Sequence, residues 1–276
     1  SFRRYLRTVR HGSVLLLVGL VWMISYIFPE RVWSALGYGL GGLIGRCVPI
    51  DAWLHRRMAQ AADTALLPTE HYADLGRRLF ESFRLSRTAK RCVLTDEAKD
   101  LLGSMESSGK GVLVLSAHFG HWEAMGLALH RFGYRFSVVS TLGKTDLLNT
   151  LLKRIRRRLG LSVFDQKGCA PALVSALKSG QHVSLFVDVP CQVRAERLSF
   201  LGGMVQRSTV VNRLASLTNS PCIFVFNHRT KTGMYQISAE RVPTDMEPLQ
   251  WCHERLESLV RSTPSQWVWL LDKPRG

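Results

Sequence analysis

Short runs of β-branched and apolar residues alternate with stretches of helical periodicity from Gly111 onwards. Strand-like runs are bounded by glycine, proline or polar residues, whereas apolar residues between them recur every three or four positions. This alternation predicts an α/β fold with a central mixed, partly parallel sheet flanked by helices. The predicted strands are Gly111–Ser116, Phe136–Ser140, Leu161–Phe164, His182–Asp188, Pro221–Phe226 and Met234–Ala239. The predicted helices are Ala124–Phe132, Asp146–Leu159, Ala170–Ser179, Arg207–Thr218 and Glu247–Ser262.

A charge-free apolar run, Ser13–Phe28, follows a basic stretch near the amino terminus. As a helix it would extend about 24 Å, which allows it to cross a bilayer or to lie deep in one leaflet. The basic flank and the lack of a small-residue cleavage site predict a hydrophobic membrane-anchoring helix rather than a signal peptide. A second apolar stretch, Val32–Ile50, is interrupted by glycines and Pro49, which indicates an interfacial or packing segment rather than a second crossing.

The sequence divides into an amino-terminal segment and one larger domain. We expect residues 1–50 to form the anchor and interfacial segment, and residues 51–276 to form the domain that carries the chemistry. Apolar residues spaced three and four positions apart, such as Leu54 and Met58, predict a helical first third without strands over residues 51–108. Residues 109–276 are expected to hold the α/β core.

The composition favours an anionic partner. The chain has 37 Lys and Arg against 21 Asp and Glu, a formal net charge of +16, which suits nucleic acid, anionic lipid or an acidic carrier protein. Aromatic residues do not interleave with basic ones as a nucleic-acid stacking platform requires, so we expect no nucleic acid. The six scattered cysteines show no metal-ligand spacing and predict reduced thiols in a cytosolic compartment.

The candidate chemistry lies in the segment Ser116-Ala-His-Phe-Gly-His-Trp-Glu123. His118 follows a predicted strand, at the sheet edge where ligand crevices of open α/β folds form. It could act as a general base, with Glu123 folded back across a turn at Gly120 to orient the ring. The alternative for this spacing is a helix-entry histidine and a carboxylate that complements the helix dipole. His121 adds a metal-binding alternative, for which no third ligand is evident.

The predicted helix Asp146–Leu159 is amphipathic, with apolar residues on one face and five cations without an interleaved acid on much of the rest. Mutual repulsion of these cations favours an anionic ligand over a merely solvated face. We therefore predict substrate contacts at Arg154, Arg157 and Arg158. Phosphate groups, phosphopantetheine, an acidic carrier surface and lipid head groups all remain candidates.

His118-Phe-Gly-His-Trp-Glu123 after an apolar strand resembles the His-x4-Asp/Glu signature of the lipid A biosynthesis late acyltransferase family, which includes the phosphatidylinositol mannoside acyltransferases. Further similar blocks follow in the same order along nearly the whole chain. They are the basic helix, Leu177-Lys-Ser-Gly180 before a strand, Phe200-Leu-Gly202, and Pro264-Ser-Gln-Trp-Val-Trp269, which is similar to the family's Pro-Glu-Gln-Tyr-x-Trp.

The resemblance implies direct transfer of a fatty acyl chain from acyl carrier protein or CoA to a hydroxyl of a lipid A precursor or related glycolipid. His118 would be the base and Glu123 its orienter, while Asp188 would complete the relay or bind the acceptor. The alternative for Asp188 is a polar strand-end residue that caps a loop. Substrate contacts are also expected at Gly120, Trp122 and Gly202 in the matching blocks. The reaction is expected to need no metal or cofactor. The resemblance further implies location at the bacterial inner membrane, with the catalytic domain on the cytoplasmic face.

Two segments depart from the family pattern. The residues after Trp269 and those after Asp188 lack the usual continuations, which leaves the acceptor open. Two alternatives to the acyltransferase hypothesis also remain. One is a noncatalytic module that binds lipid or a carrier protein, and the other is a hydrolase of acyl thioesters.

Overall fold

A computed structural model describes residues 18–47, 52–61, 68–140, 162–165 and 168–272 of the chain. Seven strands form the central sheet. Their bounds, in chain order, are β1 Cys92–Leu94, β2 Leu113–Ser116, β3 Ser137–Ser140, β4 Ser162–Asp165, β5 Val183–Phe186, β8 Cys222–Arg229 and β9 Tyr235–Arg241. Their order in the sheet is β1-β9-β8-β2-β5-β3-β4. Two further strands, β6 Ala195–Phe200 and β7 Gly203–Ser208, form a separate antiparallel hairpin.

Neighbouring strands of the central sheet run parallel, except for β8 and β9, which are antiparallel. The predicted mixed, partly parallel sheet is therefore confirmed. Alternate residues of β2 serve the two faces, because successive side chains of a strand point to opposite sides. Leu113 and Leu115 pack into the core on one face. Val114 packs into the core on the other face, together with Val112 just before the strand.

Helices cover both faces of the sheet. The helices are α1 Glu30–Cys47, α2 Ala52–Ala61, α3 Pro68–Ser82, α4 Leu85–Thr88, α5 Asp96–Ser107, α6 Trp122–Arg131, α7 Ala170–Lys178, α8 Val210–Thr218 and α9 Pro248–Ser262. Buried residues of α2, α7, α8 and α9 join the core beside Leu113, and those of α5 and α6 join the core beside Val114. The predicted arrangement of a sheet flanked by helices is confirmed.

The structure contradicts two of the sequence-based predictions. Residues 51–108 were expected to lack strands, yet β1 lies at one edge of the central sheet and pairs in parallel with β9. The predicted helix Arg207–Thr218 begins only at Val210, because Arg207 belongs to the hairpin strand β7. The predicted helix Asp146–Leu159 lies outside the described residues.

Residues 32–47 of the second apolar stretch belong to one continuous helix, α1, that packs on α3. Gly37, Gly41 and Gly45 are buried on one face of α1, where an added Cβ would collide with α3. This spacing of four residues lets the two helix backbones approach closely. The glycine face of α1 therefore packs as predicted for this segment. The opposite face is apolar and about half exposed, at Val32, Leu36, Leu40, Leu43 and Ile44.

The predicted anchor, Ser13–Phe28, begins outside the described residues, and residues 18–25 are helical. Within the described part of the chain, no helix combines the length and the apolar character needed to cross a bilayer. The membrane-anchoring helix of the predicted fold is therefore not supported by these residues.

Candidate active site

The register of two parallel strands brings His118 and Asp188 together. Ser116, at the end of β2, pairs with Phe186 at the end of β5. His118 and Asp188 each lie two residues beyond this pair, so both leave the sheet at the same point of its carboxyl edge. This is the edge at which ligands bind in open α/β sheets.

Asp188 holds His118 through two contacts. The Oδ1 atom of Asp188 lies 2.9 Å from Nδ1 of the His118 ring, and its Oδ2 accepts from the backbone N–H of His118 at 2.8 Å. An ionised carboxylate can only accept, so it fixes the tautomer with the proton on Nδ1. Nε2, the ring nitrogen that Asp188 does not contact, then has a lone pair with which to take a proton from a substrate.

The Asp188 carboxylate is fully buried. Burial by itself would raise the pKa of this carboxyl. The facing His118 ring and the hydrogen bonds from His118 and Trp267 outweigh burial and bring the pKa below its ordinary value. Trp267 contributes through its indole Nε1, which donates to Asp188 Oδ2 at 3.0 Å. Asp188 therefore stays ionised at neutral pH.

Two aromatic rings confine the His118 imidazole. The Phe186 ring centroid lies 4.4 Å from that of His118, and the Trp122 ring meets it edge-on at 5.0 Å. The side chain of His118 is still 19% exposed, whereas that of Asp188 is 0% exposed. The pair therefore presents a reachable imidazole in front of an unreachable carboxylate.

Glu123 lies in the first turn of α6 and lines the same cavity as His118 and Trp122. The hydrogen bond at Nδ1 of His118 belongs to Asp188. That Glu123 orients His118 stays a prediction, and an orienting role for Glu123 cannot use the nitrogen that Asp188 occupies.

The loop after His118 has a backbone conformation at Gly120 that favours glycine. Its φ of +62° lies in the left-handed region, and an added Cβ would collide with backbone and side-chain oxygens of Asn227. The Asn227 amide accepts from the backbone N–H of His121 at 2.8 Å and donates to its carbonyl at 3.2 Å. Only glycine fits this turn, which sets the direction of the chain between His118 and α6.

A buried arginine holds the same loop from α3. Arg78 donates to the carbonyls of Gly120 at 2.9 Å and Gln266 at 3.0 Å, and it pairs with Asp74 at 3.1 Å. The guanidinium also lies 5.6 Å from the ring centroid of Trp122. The helical first third of the chain thus directly supports the loop that follows His118.

His121 has a structural role in the described residues. Its Nδ1 accepts from the backbone N–H of Ala124 at 3.4 Å, which caps α6. Burial lowers the pKa of His121 to about 4, although nearby Glu81 opposes the shift, so the ring is neutral at neutral pH. No group of three or more His, Cys, Asp and Glu side chains in the described part of the chain could hold a metal ion.

A large apolar cavity of about 820 Å³ opens beside His118. This volume falls within the range typical of ligand pockets, roughly 300–1,000 Å³. Its lining includes Leu173, Val174, Val210, Leu214 and Leu217 from α7 and α8. A narrower cavity of about 60 Å³ lies between α6 and the sheet and shares Trp122, Glu123, Val139 and Phe186 with the large one.

The remaining predicted site residues lie in different places. Trp122 lines both cavities, and Gly120 shapes the loop behind His118. Gly202 has a φ of +73° in the turn of the β6–β7 hairpin and does not belong to the described lining of either cavity. Arg154, Arg157 and Arg158 lie outside the described residues, so their substrate contacts stay predictions.

Sequence reasoning missed three supporting residues: Arg78, Asn227 and Trp267. Asp74 and Arg78, four residues apart on one helix, gave a possible signal for a buried ion pair. Asn227 gave none, because its partner at the site is 106 positions away in the chain. Trp267 lies in the matching block Pro264–Trp269, but no local pattern indicated its bond to Asp188, 79 positions away.

The fold and site define an α/β protein with a His-Asp pair at the mouth of an apolar cavity. Residues 1–275 match the family described as bacterial lipid A biosynthesis acyltransferase, and the chain belongs to that family. The lipid A biosynthesis acyltransferase of Haemophilus influenzae is 25% identical over 183 residues, which cover 60% of this chain and 54% of the relative. The chain thus spans about half the length of this curated relative. The family resemblance of the sequence is confirmed.

Proposed function

We propose that the chain is a membrane-associated O-acyltransferase that moves a fatty acyl chain from an acyl thioester to a hydroxyl of a lipid A precursor or related glycolipid. The observation that carries the proposal is the His118–Asp188 pair at the mouth of a large apolar cavity. Family membership supports the type of reaction and the lipid A-like acceptor. The donor is acyl carrier protein or CoA, and no metal or cofactor takes part in the proposal.

In the proposed reaction, Nε2 of His118 removes the proton from the acceptor hydroxyl while the oxygen attacks the thioester carbonyl. The tetrahedral intermediate then collapses with cleavage of the carbon–sulfur bond. The leaving thiolate takes the proton from the His118 imidazolium, so the products are an ester and a free thiol. Ionised Asp188 stabilises the imidazolium and keeps the ring oriented throughout.

The role proposed for Glu123 differs from that of Asp188. Asp188 contacts Nδ1, so Glu123 would act mainly through its charge, as a second carboxylate that favours the imidazolium. The apolar cavity would receive the acyl chain. Contacts of the acceptor or donor with Arg154, Arg157 and Arg158 remain part of the proposal.

We further propose that the apolar outer face of α1 lies against the membrane. Its neighbours Trp22, Met23 and Ile27 are also at least half exposed, so the apolar surface continues beyond α1. A contiguous surface of this kind marks a membrane or protein interaction site. The surplus of Lys and Arg favours anionic lipid head groups or an acidic carrier protein as partners. The cytoplasmic face of the bacterial inner membrane would offer both an apolar interior for α1 and anionic partners for the basic residues, and we propose it as the location.

The test is acyl transfer by purified protein from acyl carrier protein and from CoA to lipid A precursors, followed by mass spectrometry of the lipids. His118→Ala should abolish transfer and leave lipid association intact. His130→Ala, on the exposed end of α6, is the matched control and should retain activity. Free fatty acid without an acylated lipid would indicate the hydrolase. Lipid association without any turnover by the wild-type protein would indicate the binding module.

A further inference from the structure

The segment Pro264–Trp269 is hydrogen-bonded to the backbone of the loop His118–Gly120. Gly120 donates its backbone N–H to the carbonyl of Gln266 at 2.9 Å, and Val268 donates to the carbonyl of His118 at 3.2 Å. Phe119 and Trp267 form an antiparallel bridge between these two bonds. The backbone of the carboxyl-terminal segment therefore fixes the loop on both sides of Phe119, and the side chain of Trp267 is aimed at the pair behind it.

Trp267 completes the hydrogen bonding of the buried carboxylate. Both Trp267 and Asp188 are 0% exposed, so bulk water cannot replace the indole as a donor. Oδ2 of Asp188 accepts from Trp267 Nε1 at 3.0 Å and from the backbone N–H of His118 at 2.8 Å. Oδ1 then remains for the imidazole, at 2.9 Å from its Nδ1. The indole and the backbone N–H of His118 together determine which carboxylate oxygen faces the ring.

We infer that Trp267 is a positioning residue for acyl transfer, which holds the Asp188 carboxylate in the rotamer and charge state that His118 requires. The inference rests on the proposed function and deepens it. The indole N–H stabilises the His118–Asp188 pair most when His118 is neutral and Asp188 is ionised, because the pair then carries a net negative charge. Hydrogen bonds to a negatively charged acceptor are stronger than those to a neutral one. Without the indole N–H, the pair holds its proton to a higher pH.

Packing alone is the competing role for this side chain. The Trp267 ring contacts Phe200 edge-on at 5.3 Å and Trp269 at 5.2 Å. Trp269 is equally buried, but its Nε1 donates to the carbonyl of Pro264 at 2.7 Å and not to Asp188. Trp269→Phe therefore matches the loss of ring volume and of one indole bond, without touching the pair.

The experiment compares Trp267→Phe with Trp269→Phe in acyl-transfer assays across pH. For Trp267→Phe we expect kcat to fall roughly tenfold with KM within about twofold, because the lost interaction acts on the base rather than on substrate binding. We expect the acidic limb of its kcat profile to move up by about one pH unit. Trp269→Phe should leave the position of that limb unchanged.

A second readout does not need turnover. Diethyl pyrocarbonate modifies neutral imidazole, and mass spectrometry of the His118 peptide gives the pH midpoint of its modification. This midpoint should move up in Trp267→Phe and stay in Trp269→Phe. If wild-type protein transfers no acyl chain, the proposed function fails, while the midpoint still tests the role of Trp267.

Replacement of Trp267 by β-(3-benzothienyl)alanine keeps the shape of the side chain and puts sulfur in place of the N–H. This variant carries the test if Trp267→Phe does not fold, as judged by circular dichroism. The inference is overturned if the midpoint and the acidic limb of the benzothienyl variant coincide with those of the wild type. It is equally overturned if Trp269→Phe shifts them by the same amount.

Discussion

Replacing Asp188 by Asn tests the central pair most directly, because Asn preserves the shape of the buried side chain. The Asn amide oxygen can still accept from the backbone N–H of His118 and from Trp267, the bonds of 2.8 and 3.0 Å. The amide N–H₂ then faces Nδ1 of the ring, where Oδ1 lay 2.9 Å away. Since this group can only donate, it moves the ring proton to Nε2.

The wrong tautomer cannot accept a proton from the acceptor hydroxyl. We expect kcat to fall by about 10³ to 10⁴, which corresponds to roughly 4–5.5 kcal/mol of lost transition-state stabilisation. Stability should change by only about 1–2 kcal/mol, since all three contacts of Asp188 find a partner in Asn. Urea unfolding measures the second quantity and acyl-transfer kinetics the first.

The pH dependence of stability provides an internal check. The pKa of Asp188 is lowered in the folded protein, so its carboxylate stabilises the fold above the unfolded pKa of about 3.9. That contribution is lost as the pH falls through the folded pKa, and it should be missing from Asp188→Asn.

If Asp188→Asn keeps kcat within about threefold of the wild type, the reasoning about the tautomer is refuted.

Two further predictions concern the loop and the membrane face. Gly120→Ala should destabilise the protein by about 2 kcal/mol or more and reduce transfer, because φ of +62° and contact with Asn227 both exclude a Cβ. Gly126→Ala in α6, where no atom lies within 4 Å of an added Cβ, should be neutral or stabilising in the same urea unfolding measurements. Leu40→Asp with Leu43→Asp should weaken flotation with anionic liposomes roughly tenfold or more without changing the melting temperature, since both side chains are about half exposed. Unchanged flotation would contradict contact of α1 with the membrane.

The sequence predicted the central sheet well, because most of its strands are short runs rich in apolar and β-branched residues, bounded by glycine, proline or polar residues. Each of the six predicted strands corresponds to a strand of the structure, with ends that coincide or differ by up to three residues. Strand β1 escaped notice because Cys92–Leu94 is only three residues long and follows a helical region directly. The hairpin escaped notice because polar residues such as Glu196 and Gln206 interrupt its apolar pattern.

The site was only partly readable. His118 follows a recognisable strand and belongs to a motif, so local sequence indicated it. Asp188 was suggested by the family resemblance alone, because its contact with His118 depends on the register between β2 and β5, which no local pattern specifies. Trp267 belongs to a recognised motif, but its bond to Asp188 spans 79 positions and became evident only in the structure.

The different burial of the two pair members explains why the supporting residues come from so many parts of the chain. A general base must remain accessible to its substrate. The electrostatic interaction of the orienting carboxylate with the base is stronger where water is excluded. A carboxylate that is 0% exposed needs donors that do not come from water. The backbone of His118 supplies one, the indole of Trp267 another, and the hydrogen bond from Arg78 to Gln266 keeps both donors in place. The motif Pro264–Trp269 therefore contributes a hydrogen bond to the pair itself, although it lies far from the motif around His118 in sequence.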